Sequence, residues 1–117
     1  MIINRKQRQA LAKFRCGVAP IRVETGRFVN ENINDRLCIL CNNGEIENEE
    51  HCIIRCNIYN DIRQQLYSEA CTVDDNFINY NDEEKFIFLM SNYQMVDKIS
   101  KACLDILKRR ANEIYNT

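Results

Sequence analysis

The stretch that decides the reading is Cys38-Ile-Leu-Cys41-Asn-Asn-Gly44-Glu-Ile-Glu-Asn-Glu-Glu-His51-Cys52-Ile-Ile-Arg-Cys56, with the pattern C-x2-C-x9-H-x4-C. Two thiols at C-x2-C spacing reach one metal ion from a tight knuckle. Asn42-Asn43-Gly44 turns the chain back behind them, because Asn and Gly tolerate positive φ. His51, the single histidine of the chain, and Cys56 complete a set of three sulfurs and one nitrogen, a usual ligand set for structural zinc. All four corners come from protein, so no position stays open for a reactive water. The expected cofactor is therefore one structural Zn2+ per chain, held by Cys38, Cys41, His51 and Cys56.

The second half of the pattern admits an alternative. On an α-helix Cys52 and Cys56 stand only about 40° apart, whereas His51 and Cys56 are about 140° apart. An all-cysteine site using Cys52 therefore competes on geometry. The x4 spacing between His51 and Cys56 lies within the range seen for the second ligand pair of zinc sites.

Outward from this stretch the chain reads as helical. Only three glycines and one proline interrupt its 117 residues, and no long apolar/polar alternation marks a strand. A first helix is predicted from about Asn4 to Cys16, stopped by Gly17 and Pro20. Ile3, Ala10, Leu11 and Phe14 share its apolar face, and Arg5, Lys6, Arg8, Lys13 and Arg15 occupy the rest. Residues 18–37 read as an irregular connection with short extended pieces. A second helix is expected from about Ile58 to Ala70, on a stripe of Tyr59, Ile62, Leu66 and Ala70. Asn81 opens another, with Glu84 three residues on in a capping-box arrangement. The following run Phe86-Ile87-Phe88-Leu89-Met90 is dense enough to be mostly buried. The last helix, about Met95 to Tyr115, repeats Val96, Ile99, Cys103, Ile106 and Ile114, with Leu107 beside them. Cys16, Cys71 and Cys103 are expected as buried filler.

The fold class is thus mainly α: a single small helical domain over 1–117. It comprises a basic helix and connection (1–37), a CCHC zinc knuckle that allows a short β-hairpin (38–56), and a helical tail (57–117). A chain of 13.8 kDa has room for one core and leaves none for a large nucleotide-binding or polymerase scaffold.

Charge is segregated although the net value is only −1. Residues 1–28 sum to +6, residues 29–85 to −9 and residues 86–117 to +2. Such a distribution suits an anionic partner, or ends that fold back onto the middle. Glu45, Glu47, Glu49 and Glu50 read as a charged face flanking the knuckle. No stretch of about 18 apolar residues exists to span a membrane. Met1-Ile2-Ile3-Asn4-Arg5-Lys6 reaches charge before a signal-peptide apolar region forms. The expected location is intracellular, nuclear or cytoplasmic, without membrane partners. Seven cysteines, an odd count, fit metal binding better than an oxidised secreted framework.

Cys38-x2-Cys41, a Glu-rich spacer, His51-x4-Cys56, then Tyr59, Arg63 and Leu66 resemble the zinc-binding C-terminal region of non-LTR (LINE-type) retrotransposon reverse transcriptases. Phe14-Arg15-Cys16-Gly17-Val18-Ala19-Pro20 stands where that family carries a Leu-Arg-Thr-Gly-like signature, and Arg36-Leu37 precedes the first cysteine. The likeness covers about residues 8–68. It departs in Asn57, where the family often has Pro, and in Cys16, where it has Thr or Ser. The polymerase itself is missing. Thr72-Val73-Asp74-Asp75 lacks the preceding aromatic and the third carboxylate of a polymerase motif and reads as an acidic loop. The resemblance implies a tail domain or remnant of a retroelement protein that binds zinc, contacts nucleic acid and performs no catalysis.

Two function classes follow. In the first, Arg5, Lys6, Arg8, Lys13 and Arg15, with no acidic residue among them, contact the phosphates of RNA or DNA, and Lys108-Arg109-Arg110 adds to the same footprint. In the second, the chain is a zinc-stabilised helical interaction module that docks to a polymerase domain or another protein, or a remnant without nucleic-acid binding. An enzyme is not expected: the one histidine is a ligand and no Gly-rich phosphate loop occurs.

Overall fold

A computed structural model describes residues 4–115, which are mainly helical. The helices are α1 (Arg5–Cys16), α2 (Arg22–Phe28), α3 (Asn60–Val73), α4 (Asp82–Ser91) and α5 (Val96–Tyr115). No helix among the described residues is long and apolar enough to cross a membrane.

Helix α1 starts and stops on local chemistry. The Asn4 side chain accepts from Lys6 N–H at 2.7 Å. Gly17 closes the helix with φ of 71° and its N–H on the Lys13 carbonyl, the αL ending for which glycine has no Cβ penalty. Ala10, Leu11 and Phe14 are buried, and fully burying a Leu or Phe side chain is worth about 1.5–3 kcal/mol. Ile3 lies outside the described residues. Helix α1 packs along α5, which also supports α3 and α4. Along α5 the buried stripe is Ile99, Ala102, Cys103 and Ile106, while Val96, Leu107 and Ile114 are half-buried.

The capping box before α4 forms in full. Asn81 Oδ1 accepts from Glu84 N–H at 2.8 Å, and Glu84 Oε1 accepts from Asn81 N–H at 2.9 Å. The helix it opens is less buried than its composition suggests. Only Leu89 is fully enclosed; Phe86, Phe88 and Met90 are half-buried, and Ile87 is exposed. Short α4 lies at the edge of the bundle, against α5 and the segment at residues 51–55, so one face remains open. Phe77 joins α3 to α4 as the centre of an aromatic cluster, with ring centroids 5.1 Å from Tyr67, 5.3 Å from Phe88 and 6.0 Å from Tyr80. Asp74, in the acidic loop, caps the turn that carries Phe77: its carboxylate accepts from Asn76 N–H at 2.9 Å and from the Tyr80 hydroxyl at 2.5 Å.

Residues 18–37 correct the expectation of an irregular connection, because α2 forms within them. Gly26 does not break this helix; it makes room. The Arg36 side chain lies across it, and a Cβ at position 26 would stand 2.6 Å from Arg36 Cγ. From there the Arg36 guanidinium donates to the Val23 carbonyl at 2.8 Å and to the Glu31 carbonyl at 2.8 and 3.1 Å. This is a tertiary clamp, invisible to local propensity. Cys16 is likewise exposed and Cys71 half-buried; of the three cysteines expected inside, only Cys103 is buried.

Glu47 departs furthest from expectation. It is fully buried rather than part of a solvated charged face. Arg110 of α5, 63 residues away, holds its carboxylate bidentately at 2.8 and 2.9 Å. The same carboxylate accepts from Arg22 N–H at 2.7 Å, and the Glu47 carbonyl accepts from Val23 N–H at 3.0 Å, which satisfies the N-terminus of α2. Breaking a buried pair by removing one partner strands a charge and costs about 3–5 kcal/mol. Urea unfolding of Glu47→Ala or Arg110→Ala is expected to show a loss of about that size, with the double variant losing much less than the sum of the two.

Candidate metal centre

The cluster is assembled from two short pieces of chain. In the first, residues 36–38 run antiparallel to 45–47: Cys38 N–H donates to the Glu45 carbonyl and Glu47 N–H to the Arg36 carbonyl, both at 2.9 Å, around the isolated bridge Leu37–Ile46. This single bridge is the extent of the pairing; no strand forms among the described residues. Between the two arms, Asn42 and Gly44 take positive φ (56° and 74°) and turn the chain beneath Cys38 and Cys41, as their residue types predict.

In the second piece, Asn48 caps a helical segment by accepting from His51 N–H at 2.8 Å. Residues His51–Arg55 then widen into a π-helical turn, closed by Cys56 N–H on the His51 carbonyl at 2.7 Å. That i→i+5 closure answers the competition between His51 and Cys52. On an ordinary α-helix His51 and Cys56 would diverge, but a wider turn carries them to the same side. Cys52 is fully buried in the core, where burial pushes its thiol pKa well up.

A buried arginine holds this turn open. Arg63 of α3 donates to the carbonyls of Cys56 at 2.6 Å, Ile53 at 2.9 Å and Cys52 at 3.4 Å, and its remaining nitrogen reaches Asn60 at 2.6 Å. Those carbonyls would otherwise end a helix unpaired, and a cation suits that end of the dipole.

Cys38, Cys41, His51 and Cys56 thus each point one ligand atom into a common space, all within 4.8 Å of one another. Zn–S near 2.3 Å and Zn–N near 2.0–2.1 Å set an S···N edge of about 3.6 Å in a tetrahedron. Cys41 Sγ and His51 Nε2 are 3.5 Å apart. The four residues can therefore hold a metal ion, and the donor set of three sulfurs and one nitrogen suits a borderline-soft cation. The electrostatics agree with this grouping. The Cys56 thiol donates to Cys38, which lowers the Cys38 pKa to about 3 and pushes that of Cys56 upward; burial also raises Cys41. Ionising all three sulfurs in so small a space is unfavourable without a cation among them.

The basic residues separate into two groups. Arg5, Lys6, Arg8 and Lys13 are exposed on α1 and have no ion-pair partner among the described residues; Arg15, also exposed, donates to the Met90 carbonyl at 2.7 Å. The C-terminal group does not share their footprint. Arg110 is consumed by Glu47, and Arg109 pairs with Asp61 at 2.5 and 2.8 Å, so only Lys108 stays exposed there. The C-terminal end folds back onto the acidic middle through these arginines. No protein-family model, curated protein or solved structure matches the chain.

Substituting the two neighbours separates their roles. His51→Ala is expected to strip metal from the purified protein, as read by elemental analysis. Cys52→Ala should retain it at the parent level and lose about 0.5–3 kcal/mol of stability as a core truncation.

Proposed function

We propose that this chain is a non-catalytic, zinc-stapled helical domain that contacts nucleic acid through the outer face of α1. The observation that carries the reading is the convergence of Cys38, Cys41, His51 and Cys56 within 4.8 Å. A zinc ion there has four protein ligands and no open position, so it staples the knuckle and activates no water. The only histidine is committed to that role. The domain is the kind of tail that the retrotransposon likeness implies.

Nucleic-acid contact is supported by the one-signed charge of α1. Its cations stand in solvent while the arginines at the other end of the chain are neutralised internally. Phosphate contact needs charge and reach but no base readout. A second reading draws on a different observation. Phe28 and Val29 at the end of α2 are 74% and 67% exposed, and Ile39 beside the knuckle is 53% exposed, and exposed apolar side chains suit a protein partner instead.

Two measurements test the proposal. Protein purified without chelator should carry one zinc per chain, and Cys38→Ser or Cys41→Ser should lose both zinc and much of the helical signal, since ligation is coupled to folding. Retention of the fold in strong chelator, with little metal bound, would sink the zinc reading. Binding to single-stranded probes should weaken linearly on a log–log salt plot, with a slope of about −3 for about four contacts. Replacing Arg5, Lys6, Arg8 and Lys13 by Gln should flatten that slope and leave zinc content unchanged. Absence of salt-dependent binding at low ionic strength leaves the protein-docking reading in its place.

A further inference from the structure

His51 is completely buried, and its two ring nitrogens face different surroundings. Nε2 points into the cluster, 3.5 Å from Cys41 Sγ. Nδ1 is buried with no hydrogen-bond partner. A buried ring nitrogen left unpaired is costly, and Nδ1 has a neighbour suited to it: the Glu45 carboxylate, whose Oε2 lies 3.5 Å away. That separation is a few tenths of an ångström beyond an ordinary N–H···O bond. Glu45 is a half-exposed side chain with room to make the adjustment.

The remainder of Glu45 is already anchored. Its Oε1 accepts from Arg55 Nε at 3.0 Å, and Arg55 Nη1 is held in turn by Glu50 at 2.9 Å. Arg55 ends the π-helical turn that begins with His51, so the turn presenting the imidazole also fixes the carboxylate beside it. One carboxylate oxygen is spent on Arg55 and the other is left facing the ring. A ligating imidazole needs one nitrogen deprotonated for the metal and the other protonated, and the acceptor beside the second nitrogen sets which is which.

We propose that Glu45 is the positioning residue of the centre: it accepts the Nδ1–H of His51 and thereby commits Nε2 to the metal. This rests on the reading of Cys38, Cys41, His51 and Cys56 as a metal site. Glu45 makes no contact with the ion and acts through the ring. Glu45 falls in the Glu-rich spacer that the sequence presents as a solvated face, and its three neighbours divide the other tasks. Glu47 is buried on Arg110, Glu50 restrains Arg55, and Glu49 is half-buried.

The test uses the full chain and zinc, with affinity read by competition against a chromophoric chelator. Glu45→Ala is expected to weaken zinc binding about 10–100-fold, and Glu45→Gln, which keeps an acceptor oxygen, to recover most of that loss. Arg55→Ala should cost less than Glu45→Ala. Because the chain has one histidine, long-range 1H–15N NMR reads its ring without overlap. The zinc-loaded parent should carry its proton on Nδ1, and that proton should exchange with water faster in Glu45→Ala. A proton found on Nε2 in the zinc-loaded parent, or zinc affinity within twofold of the parent for Glu45→Ala, overturns the assignment. So does an Arg55→Ala loss equal to that of Glu45→Ala with the Nδ1 proton undisturbed, since Glu45 would then only tether Arg55. Failure of the parent itself to bind zinc overturns the metal-site reading and this proposal together. Zinc lost in Cys41→Ser but unchanged in Glu45→Ala overturns only the role of Glu45.

Discussion

Glu47 places one fully buried carboxylate where three parts of the chain meet. It accepts from the first N–H of α2, receives both arms of the Arg110 guanidinium from α5, and has Cys38 Sγ 3.9 Å from its second oxygen. Desolvating that charge is expensive, and the expense is met only because the guanidinium fork matches both oxygens while α2 presents its positive end. The arrangement fixes the seven-residue α2, which is too short to be stable alone. It also fixes the arm carrying Cys38 and the register of α5 against the knuckle. Leu37, Cys38 and Ile46 are in turn positioned by an antiparallel clip whose one end is Glu47 N–H on the Arg36 carbonyl.

The ligand cluster is thus built on tertiary contacts. The Cys38–Cys41 half depends on the clip that Glu47 terminates, and the His51–Cys56 half depends on the Arg63 guanidinium beneath the π-helical turn. Two buried arginines from the tail, Arg63 and Arg110, therefore brace the two halves. A metal ion joining those halves would lock together elements already held from outside, so ligation and packing of the helical tail are expected to be cooperative.

What the sequence made legible was local. Asn4, Gly17, Asn81 and Glu84 act within a few residues of themselves, and the helix ends they mark lie where those residue types place them. The four residues of the cluster were legible from spacing, while the choice between His51 and Cys52 was open because an α-helix was the natural template for residues 51–56. The i→i+5 turn that separates them depends on Arg63, which no local pattern reveals. Helix α2 was missed for a related reason. Gly26 and Pro20 look like breakers, yet Gly26 is required by the Arg36 side chain lying over it. Glu47 was hidden among four glutamates, and its partner stands 63 residues away.

The charge pattern becomes interpretable once these pairings are in place. Taken along the sequence, both ends are basic around an acidic middle, and two outcomes compete: mutual neutralisation or attraction of an external anion. The fold divides the question by end. At the C-terminal end Arg109 and Arg110 reach acidic residues of the middle, so that end is neutralised from within. At the N-terminal end α1 spends its apolar face on α5 and turns its cations outward, where no acidic side chain among the described residues meets Arg5, Lys6, Arg8 or Lys13. A near-neutral net charge therefore conceals a polarised molecule. The largest group of cations without an acidic partner among the described residues stands on the outer face of α1.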